Sequence, residues 1–173
     1  TGTLFACEQA GIAPDLMCLS KAITGGYLPL SVVMTTDEVY EAFYHDDVTR
    51  GFLHSHSYTG NPLACSAALA VLDILEEDQM IARNRNTAAR INLAVGGLRT
   101  HKRVANFRQR GMIWAFDVPS AGPAFARDFF SRAVDLGVLL RPLGNTVYWM
   151  PPYVFGEEEV AALARTLCKL MDD

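Results

Sequence analysis

A lysine stands directly behind a short apolar run near the start of the chain. The run from Asp15 to Ser20 predicts a buried strand, Lys21 lies at its end, and Thr24-Gly25-Gly26 predicts a sharp turn. An amine held there, beside the backbone and away from bulk water, would be driven toward its neutral form, which attacks carbonyl carbon atoms. The same context also fits an ordinary surface lysine on a loop, so the local pattern leaves both interpretations open.

A polar loop further along the chain is a second candidate. Residues 54–62 read His-Ser-His-Ser-Tyr-Thr-Gly-Asn-Pro, and they end with Asn61 as a predicted helix cap and Pro62 as the first helical residue. Hydroxyl groups and backbone amides at the start of a helix can bind a phosphate group. An ordinary capping loop would have a similar composition, so phosphate binding is one of two interpretations of this loop.

An arginine lies inside an apolar run in the last third of the chain. Arg141 interrupts the run Val138–Leu143, which predicts a strand. A guanidinium among apolar neighbours requires a carboxylate or phosphate partner. That partner would be either a bound ligand or an acidic side chain of the protein in a structural salt bridge.

These segments resemble motifs of one known family, the class III aminotransferases of fold type I, which depend on pyridoxal 5'-phosphate. Leu19–Leu30 resembles the lysine motif of that class, and His54–Ala64 resembles its phosphate loop and following helix. Thr1–Ala6 resembles the segment just after its Asp-Glu motif. The resemblance spans nearly the whole chain and implies an α/β fold. Residues 1–98 would be the end of the large cofactor-binding domain with a connecting helix, and residues 99–173 a small C-terminal α+β domain.

The resemblance implies which residues bind the cofactor. Lys21 would form the Schiff base with pyridoxal phosphate and then move the proton at the substrate carbon. Ser57 would bind the cofactor phosphate of the neighbouring subunit, with help from the backbone at Ser55 and His56. Lys21 and Ser55 would also contact the substrate. It follows that the active protein would be a homodimer with shared active sites.

The resemblance also implies a substrate pocket. Arg141 would bind a substrate carboxylate, and Tyr148 would lie near the same pocket. The stretches Leu140–Gly144 and Tyr148–Tyr153, together with the form of the His-Ser-His-Ser loop, resemble those of class members in biotin synthesis. That implies transfer of an amino group from S-adenosylmethionine to 8-amino-7-oxononanoate, giving 7,8-diaminononanoate. Two alternatives stay open: another class III aminotransferase acting on an ω-amino acid or amine, and a non-catalytic globular domain that binds no cofactor.

Part of the family's site would precede Thr1. In this fold an aspartate hydrogen-bonds the pyridinium nitrogen of the cofactor and keeps the ring an electron sink. By the resemblance, that aspartate, the aromatic residues around the ring and half of the substrate pocket would all lie upstream. We therefore expect a C-terminal part of the family's fold that is catalytically incomplete by itself.

Composition narrows the class of protein further. The chain has 173 residues, half of them hydrophobic, and a net charge of −4, which suits one compact domain or slightly more. No run of Lys or Arg would follow a nucleic-acid backbone, and no apolar stretch reaches bilayer length, so neither nucleic acid nor membrane is an expected partner. Cys7, Cys18, Cys65 and Cys168 form no paired motif and predict reduced thiols in a cytosolic protein. The four histidines lack metal-ligand spacing, so no metal site is predicted.

Helices and strands alternate along the chain and would position these residues. Strands are predicted for 15–20, 28–34, 112–118, 138–143 and 146–150, the last two as a hairpin around Gly144-Asn145. Helices are predicted for a short segment after Thr36, for 62–77, 79–98 and 124–136, and for the segment after Gly156. The last helix should turn Val160, Leu163, Leu167 and Met171 inward.

Overall fold

Six helices and five strands make up the described part of the chain, residues 1–172, in a computed structural model. In chain order they are α1 (Ala6–Ala10), β1 (Leu16–Ser20), β2 (Ser31–Thr35), α2 (Asp37–Glu41), α3 (Pro62–Glu77), α4 (Met80–Ala94), β3 (Ala105–Arg110), β4 (Ile113–Asp117), α5 (Phe125–Asp135), β5 (Thr146–Trp149) and α6 (Glu157–Asp172). Short 3₁₀ turns lie at Lys21–Thr24, Val48–Arg50 and Gly96–Thr100. None of the helices described is long and apolar enough to cross a bilayer.

The chain folds as two compact units. The continuous unit comprises Cys7–Met80, and the discontinuous unit combines Thr1–Ala6 with the chain from Ile81 onward. The expected domains, 1–98 and 99–173, do not coincide with these units. The reason is that α4 and the 3₁₀ turn after it place apolar side chains in the core of the discontinuous unit.

In the continuous unit, a hairpin positions the lysine. Strands β1 and β2 pair antiparallel, with Leu16 opposite Thr35 and Ser20 opposite Ser31. The predicted strand before Lys21 is therefore confirmed, but the expectation that it is buried is wrong within residues 1–172, because its residues are exposed or half-buried there. Lys21 leaves the sheet where the pairing ends.

Helix α3 packs against the 3₁₀ turn Lys21–Thr24. Its predicted start is confirmed, because the Asn61 side chain accepts a hydrogen bond from the Leu63 amide at 3.0 Å, and Pro62 is the first helical residue. Ala64 and Ala68 are buried. Their small side chains permit the close approach of helix and turn.

The discontinuous unit is built on a three-stranded antiparallel sheet in the order β3-β4-β5. Trp114 pairs with Trp149, and Phe116 with Val147, on one side of the sheet. All four are buried, and the two indole rings stack with centroids 5.9 Å apart. Residues outside the sheet that complete this core include Ile91, Val95, Leu98, Phe129, Ala133, Val160, Leu163, Leu167 and Met171. The inward face predicted for the last helix is confirmed.

The predicted strand over 138–143 is wrong. The amide of Val138 donates to the Ala133 carbonyl at 2.9 Å and the amide of Gly137 donates to Val134 at 2.8 Å, so these residues cap α5 instead. Pro142 has no amide to donate. Only an isolated bridge joins Leu143 to Thr146, and β5 takes β4 as its partner.

A strand that was not predicted, β3, forms the edge of this sheet. Its sequence, Ala-Asn-Phe-Arg-Gln-Arg, is mostly polar and shows no clear alternation. It pairs with β4 through a turn at Gly111, whose φ is +56°. A Cβ atom at Gly111 would lie 2.4 Å from the Thr1 carbonyl carbon, so only glycine lets the first residues pass over this turn.

Candidate active site

Lys21 occupies an unusual backbone position. Its φ is +55°, in the left-handed region, and it begins the 3₁₀ turn that follows β1. A residue with a side chain is held in that region only at a conformational cost of about 1–2 kcal/mol, and such residues cluster at functional sites. The side chain is exposed in this chain. Desolvation of the Lys21 amine therefore stays a prediction, because residues 1–172 by themselves leave the side chain exposed.

One open cavity brings together the two segments that the sequence singled out first. Its volume is about 1230 Å³, and it is lined by Lys21, the loop from Gly25 to Ser31, His56, the segment from Tyr58 to Asn61, and Ala64. The lysine turn and the polar loop are far apart in the sequence. The packing of α3 against the turn brings them to the same cavity.

The polar loop is ordered by its own hydrogen bonds. The His56 amide donates to the Thr59 hydroxyl at 3.1 Å, and the Thr59 amide donates to the His56 carbonyl at 3.0 Å. The Tyr58 amide donates to His56 Nδ1 at 3.1 Å. The backbone amide of His56, a predicted phosphate contact, thus already has a partner within the loop.

Ser55 and Ser57 lie on the same loop but outside the lining of the Lys21 cavity. Both are exposed, and neither hydroxyl makes a hydrogen bond within residues 1–172. Ser57 is therefore free to contact a group outside its own chain. Its predicted role toward a neighbouring subunit stays a prediction.

Arg141 and Tyr148 line a separate cavity within the discontinuous unit. This cavity has a volume of about 530 Å³, and its other walls include Leu140, Met150 and Phe155. Arg141 is exposed rather than buried in a strand, whereas Tyr148 is half-buried in β5. The guanidinium has no hydrogen bond or ion pair to any described residue. The alternative of a structural salt bridge thus has no partner in residues 1–172.

The residues of the larger cavity fit pyridoxal phosphate. Lys21 would supply an amine for its aldehyde, and the Gly25-Gly26 turn leaves room because it carries no side chains. The Thr59 hydroxyl and the N-terminal end of α3 suit a phosphate. None of the described lining residues is acidic, so no negative charge opposes that group.

Sequence reasoning missed part of this lining. Tyr58, Thr59 and Gly60 face the cavity, yet they were interpreted only as members of a phosphate loop. Their place directly before a capped helix was the available signal. Thr24 was interpreted only as part of a turn, although the structure buries it.

The four cysteines agree with the sequence-based expectation of unpaired thiols. Cys7, Cys18, Cys65 and Cys168 are all unpaired thiols. Across the part of the chain that the structure describes, no group of three or more His, Cys, Asp or Glu side chains could hold a metal ion.

Comparison with known proteins defines the family. The family model "Aminotransferase class-III" matches residues 1–171, and the chain belongs to that family. It is 42% identical to adenosylmethionine-8-amino-7-oxononanoate aminotransferase of Helicobacter pylori over 179 residues, which covers 100% of this chain and 41% of that protein. The resemblance proposed from the sequence motifs is confirmed.

Solved structures agree on the fold. The enzyme of the same name from Methanocaldococcus jannaschii superposes with a TM-score of 0.88 at 30% identity, over 99% of this chain and 42% of that one. An amine transaminase from an uncultivated Pseudomonas species, solved in its PLP-bound form, gives 0.85 at 28% identity, over 99% and 41%. The predicted α/β fold class is confirmed. The chain spans about two fifths of the length of these relatives.

Proposed function

We propose that this chain is part of an aminotransferase of biotin synthesis. The enzyme transfers an amino group from S-adenosylmethionine to 8-amino-7-oxononanoate and yields 7,8-diaminononanoate. The observation that carries the proposal is the meeting of Lys21 and the polar loop at one cavity. The name of the 42% identical relative supports the choice of substrates.

Lys21 does the central chemistry in this proposal. Pyridoxal phosphate, when bound, supplies an electron-withdrawing ring that stabilises negative charge on the substrate carbon. Lys21 would hold the cofactor through its amine, and its Nζ would be the group that removes and returns the proton at the substrate carbon. Lys21 follows β1 directly and begins the 3₁₀ turn, so the backbone position from which its side chain extends is fixed.

The polar loop and Arg141 bind and orient. The Thr59 hydroxyl accepts from His56, and its own proton is free to donate to a phosphate oxygen. His56 and Ser57 complete the cofactor contacts, and Ser55 contacts the substrate. Arg141 binds the carboxylate of the acceptor through its planar fork of N–H groups, with Tyr148 beside it. The apolar walls around Arg141 suit an aliphatic chain.

The proposal includes assembly and location. We infer a homodimer in which Ser57 of one subunit serves the site of the other, and the exposed, unbonded Ser57 hydroxyl supports this. We also infer a cytoplasmic enzyme, which the four unpaired thiols support.

A chimera tests the proposal. This chain replaces the matching segment of the Helicobacter pylori enzyme, and conversion of 8-amino-7-oxononanoate with S-adenosylmethionine is measured. We expect turnover, and Lys21→Ala should lower it by about two to four orders of magnitude. Lys102→Ala, which removes an exposed lysine of the other unit, is the matched control. A folded chimera that loses nothing with Lys21→Ala would refute the assignment.

A second candidate is transfer to an amine or ω-amino acid. The structural likeness to a PLP-bound amine transaminase favours it. A screen of amino donors and acceptors on the same chimera separates the two candidates. An aminotransferase should show an absorbance band of bound cofactor, and Lys21→Ala should remove it. If no such band forms, the remaining alternative, a non-catalytic domain, is correct.

A further inference from the structure

Thr24 is the one fully buried polar residue in the described part of the continuous unit. Its exposed fraction is 1%, and its hydroxyl donates to the Leu28 carbonyl at 2.5 Å. A buried hydroxyl keeps its place only where a partner compensates for lost water. The partner here is the backbone of the loop that lines the cavity with Lys21.

The Thr24 bond fixes the middle of the connection between β1 and β2. Strand pairing of Ser20 with Ser31 fixes its two ends. Two backbone bonds support the turn: the Gly25 amide donates to Ala22 at 3.0 Å, and the Tyr27 amide donates to Thr24 at 3.2 Å. Only the Thr24 hydroxyl reaches across to Leu28 within this described segment. The sheet thus fixes the two ends of the loop, and the Thr24 side chain fixes its middle.

Lys21 depends on this closure. It lies at the first position of the turn that Thr24 ends, with a φ of +55°. A lysine remains in the left-handed region only where the surrounding structure holds it there. The turn also packs on α3, since a Cβ at Gly25 would lie 3.4 Å from Val71 Cγ2. Thr24 therefore ties the lysine turn to the loop, while the turn as a whole packs on α3.

We propose that Thr24 is a positioning residue of the active site: its buried hydroxyl holds the 3₁₀ turn so that the Lys21 amine faces the cavity. The inference rests on the proposed function of Lys21 as the cofactor-binding amine. Thr24 itself would touch neither cofactor nor substrate. It acts through the backbone of the turn.

Reductive labelling of the chimera, in which this chain replaces the matching segment of the Helicobacter pylori enzyme, tests this without measuring turnover. The amine of a lysine condenses with the aldehyde of pyridoxal phosphate and releases water, and borohydride then adds hydride to the C=N bond to leave a stable secondary amine. The chain has three lysines, so Lys102 and Lys169 serve as internal references for Lys21. Peptide mapping gives the three labelling rates in wild type, Thr24→Val and Thr24→Ser, and circular dichroism reports whether each variant folds.

We expect Lys21 to react faster than both references in the wild type. Thr24→Val keeps the shape but removes the donor, and should lower the relative rate at Lys21 roughly tenfold, as the loss of one hydrogen bond predicts. Thr24→Ser keeps the hydroxyl and should stay within about twofold of wild type. A general loss of stability would change all three rates together and would not be rescued selectively by serine.

The outcomes separate this inference from the proposed function. Equal rates at all three wild-type lysines would overturn both. A Lys21 preference that Thr24→Val leaves unchanged would overturn the positioning role alone. If Thr24→Val does not fold, Thr24→Ser decides: a retained preference supports the hydroxyl, and a lost one shows that the methyl group matters instead.

Discussion

Arg141 places a positive charge beside an apolar surface. Leu140, Met150 and Phe155 line the same cavity. Glu159 also lines it, but its carboxylate accepts from the Gly156 amide at 2.9 Å and makes no ion pair with Arg141 among the described residues. Water competes less for a cation beside apolar walls than for one on an open surface, so a ligand carboxylate is bound more strongly there. The planar guanidinium can meet both carboxylate oxygens at once.

Arg141→Ala should therefore damage the 8-amino-7-oxononanoate half-reaction more than the S-adenosylmethionine one. Because Arg141 is exposed in this chain, the loss should be that of a charge-assisted hydrogen bond, about 1.5–3 kcal/mol, or roughly one to two orders of magnitude in specificity constant. Single-turnover kinetics of each half-reaction on the chimera measure it.

Arg141→Lys and Arg165→Ala are the controls for this prediction. An ammonium keeps the charge but not the planar fork, so Arg141→Lys should recover only part of the loss. Arg165 is an exposed arginine of the same unit, and its removal should leave both half-reactions unchanged. Equal damage to both half-reactions by Arg141→Ala would show that Arg141 acts on the cofactor or the fold.

At the scale of elements, Asp117 joins the three strands of the larger sheet. It lies at the end of β4 and accepts hydrogen bonds from Asn106 on β3 at 3.0 Å and from Thr146 on β5 at 2.8 Å. Arg108 on β3 donates to it at 3.2 Å. The hydrogen bonds from Asn106 and Thr146, then the Arg108 interactions, hold the pKa of the Asp117 carboxyl below its ordinary value of 3.8.

Asp117→Asn should destabilise the chain near pH 7 by about 1–2 kcal/mol, the scale of hydrogen bonds to a charged group with partial exposure. Because the pKa of Asp117 is lower in the folded chain than in the unfolded one, its ionised carboxylate stabilises the fold fully above pH 3.8. This stabilisation is lost as the pH falls through the pKa of the folded state. The difference in free energy of unfolding between Asp117→Asn and the wild type should therefore become smaller in strong acid.

Urea unfolding at neutral and strongly acidic pH checks the Asp117 prediction. Asp128→Asn is the matched control, because Asp128 is an exposed aspartate whose carboxylate accepts only from the neighbouring Arg127 at 3.0 Å. A pH-independent gap for Asp117→Asn would mean that its charge does not contribute to stability.

The elements show why some segments are predictable from sequence. Helices α3 and α6 carry their signals locally: the Asn61-Pro62 cap in one, and an apolar face of Val160, Leu163 and Leu167 in the other. Strand β3 carries no such signal, because an edge strand needs only one partner and little burial. The segment after Gly137 was misassigned since its amides cap α5, a use that an apolar pattern does not reveal.

The part of the candidate site that lies in sequence motifs was predictable from the sequence. Lys21 and the loop after His54 were found because they resemble family motifs, and the structure brings them to one cavity. The exposure of Lys21 and of Arg141 was not predicted, because burial depends on what packs over a residue rather than on its neighbours in sequence. The burial of Thr24 was not predicted for the same reason.

At the scale of the whole molecule, shared sites make a prediction about mixed dimers. In chimeras, Ser57→Ala should weaken cofactor binding more than it slows turnover at saturating cofactor, since the hydroxyl would contact a group remote from the reacting atoms. Lys21→Ala should lower turnover by about two to four orders of magnitude. A dimer that combines the two variants would hold one site with both residues intact.

Mixing the two variants at limiting cofactor tests the shared site. Random exchange should restore about a quarter of all sites, because half of the dimers are mixed and one site in each is whole. A mixture of Lys21→Ala with Ser55→Ala asks the same question of the neighbouring Ser55 hydroxyl. Activity equal to the average of the separate variants would place Ser57 in its own subunit's site.

The passage of Thr1 and Gly2 over Gly111 has a consequence for the kinetics of folding. This contact joins positions about 110 residues apart, and the whole continuous unit lies in the chain between them. Contacts of such long sequence separation form late, because the ends of a long loop must meet before any favourable interaction compensates for the lost chain entropy. During synthesis Thr1–Ala6 leave the ribosome before the β3–β4 turn does. The discontinuous unit therefore completes this contact only after the unit inserted within it has been made.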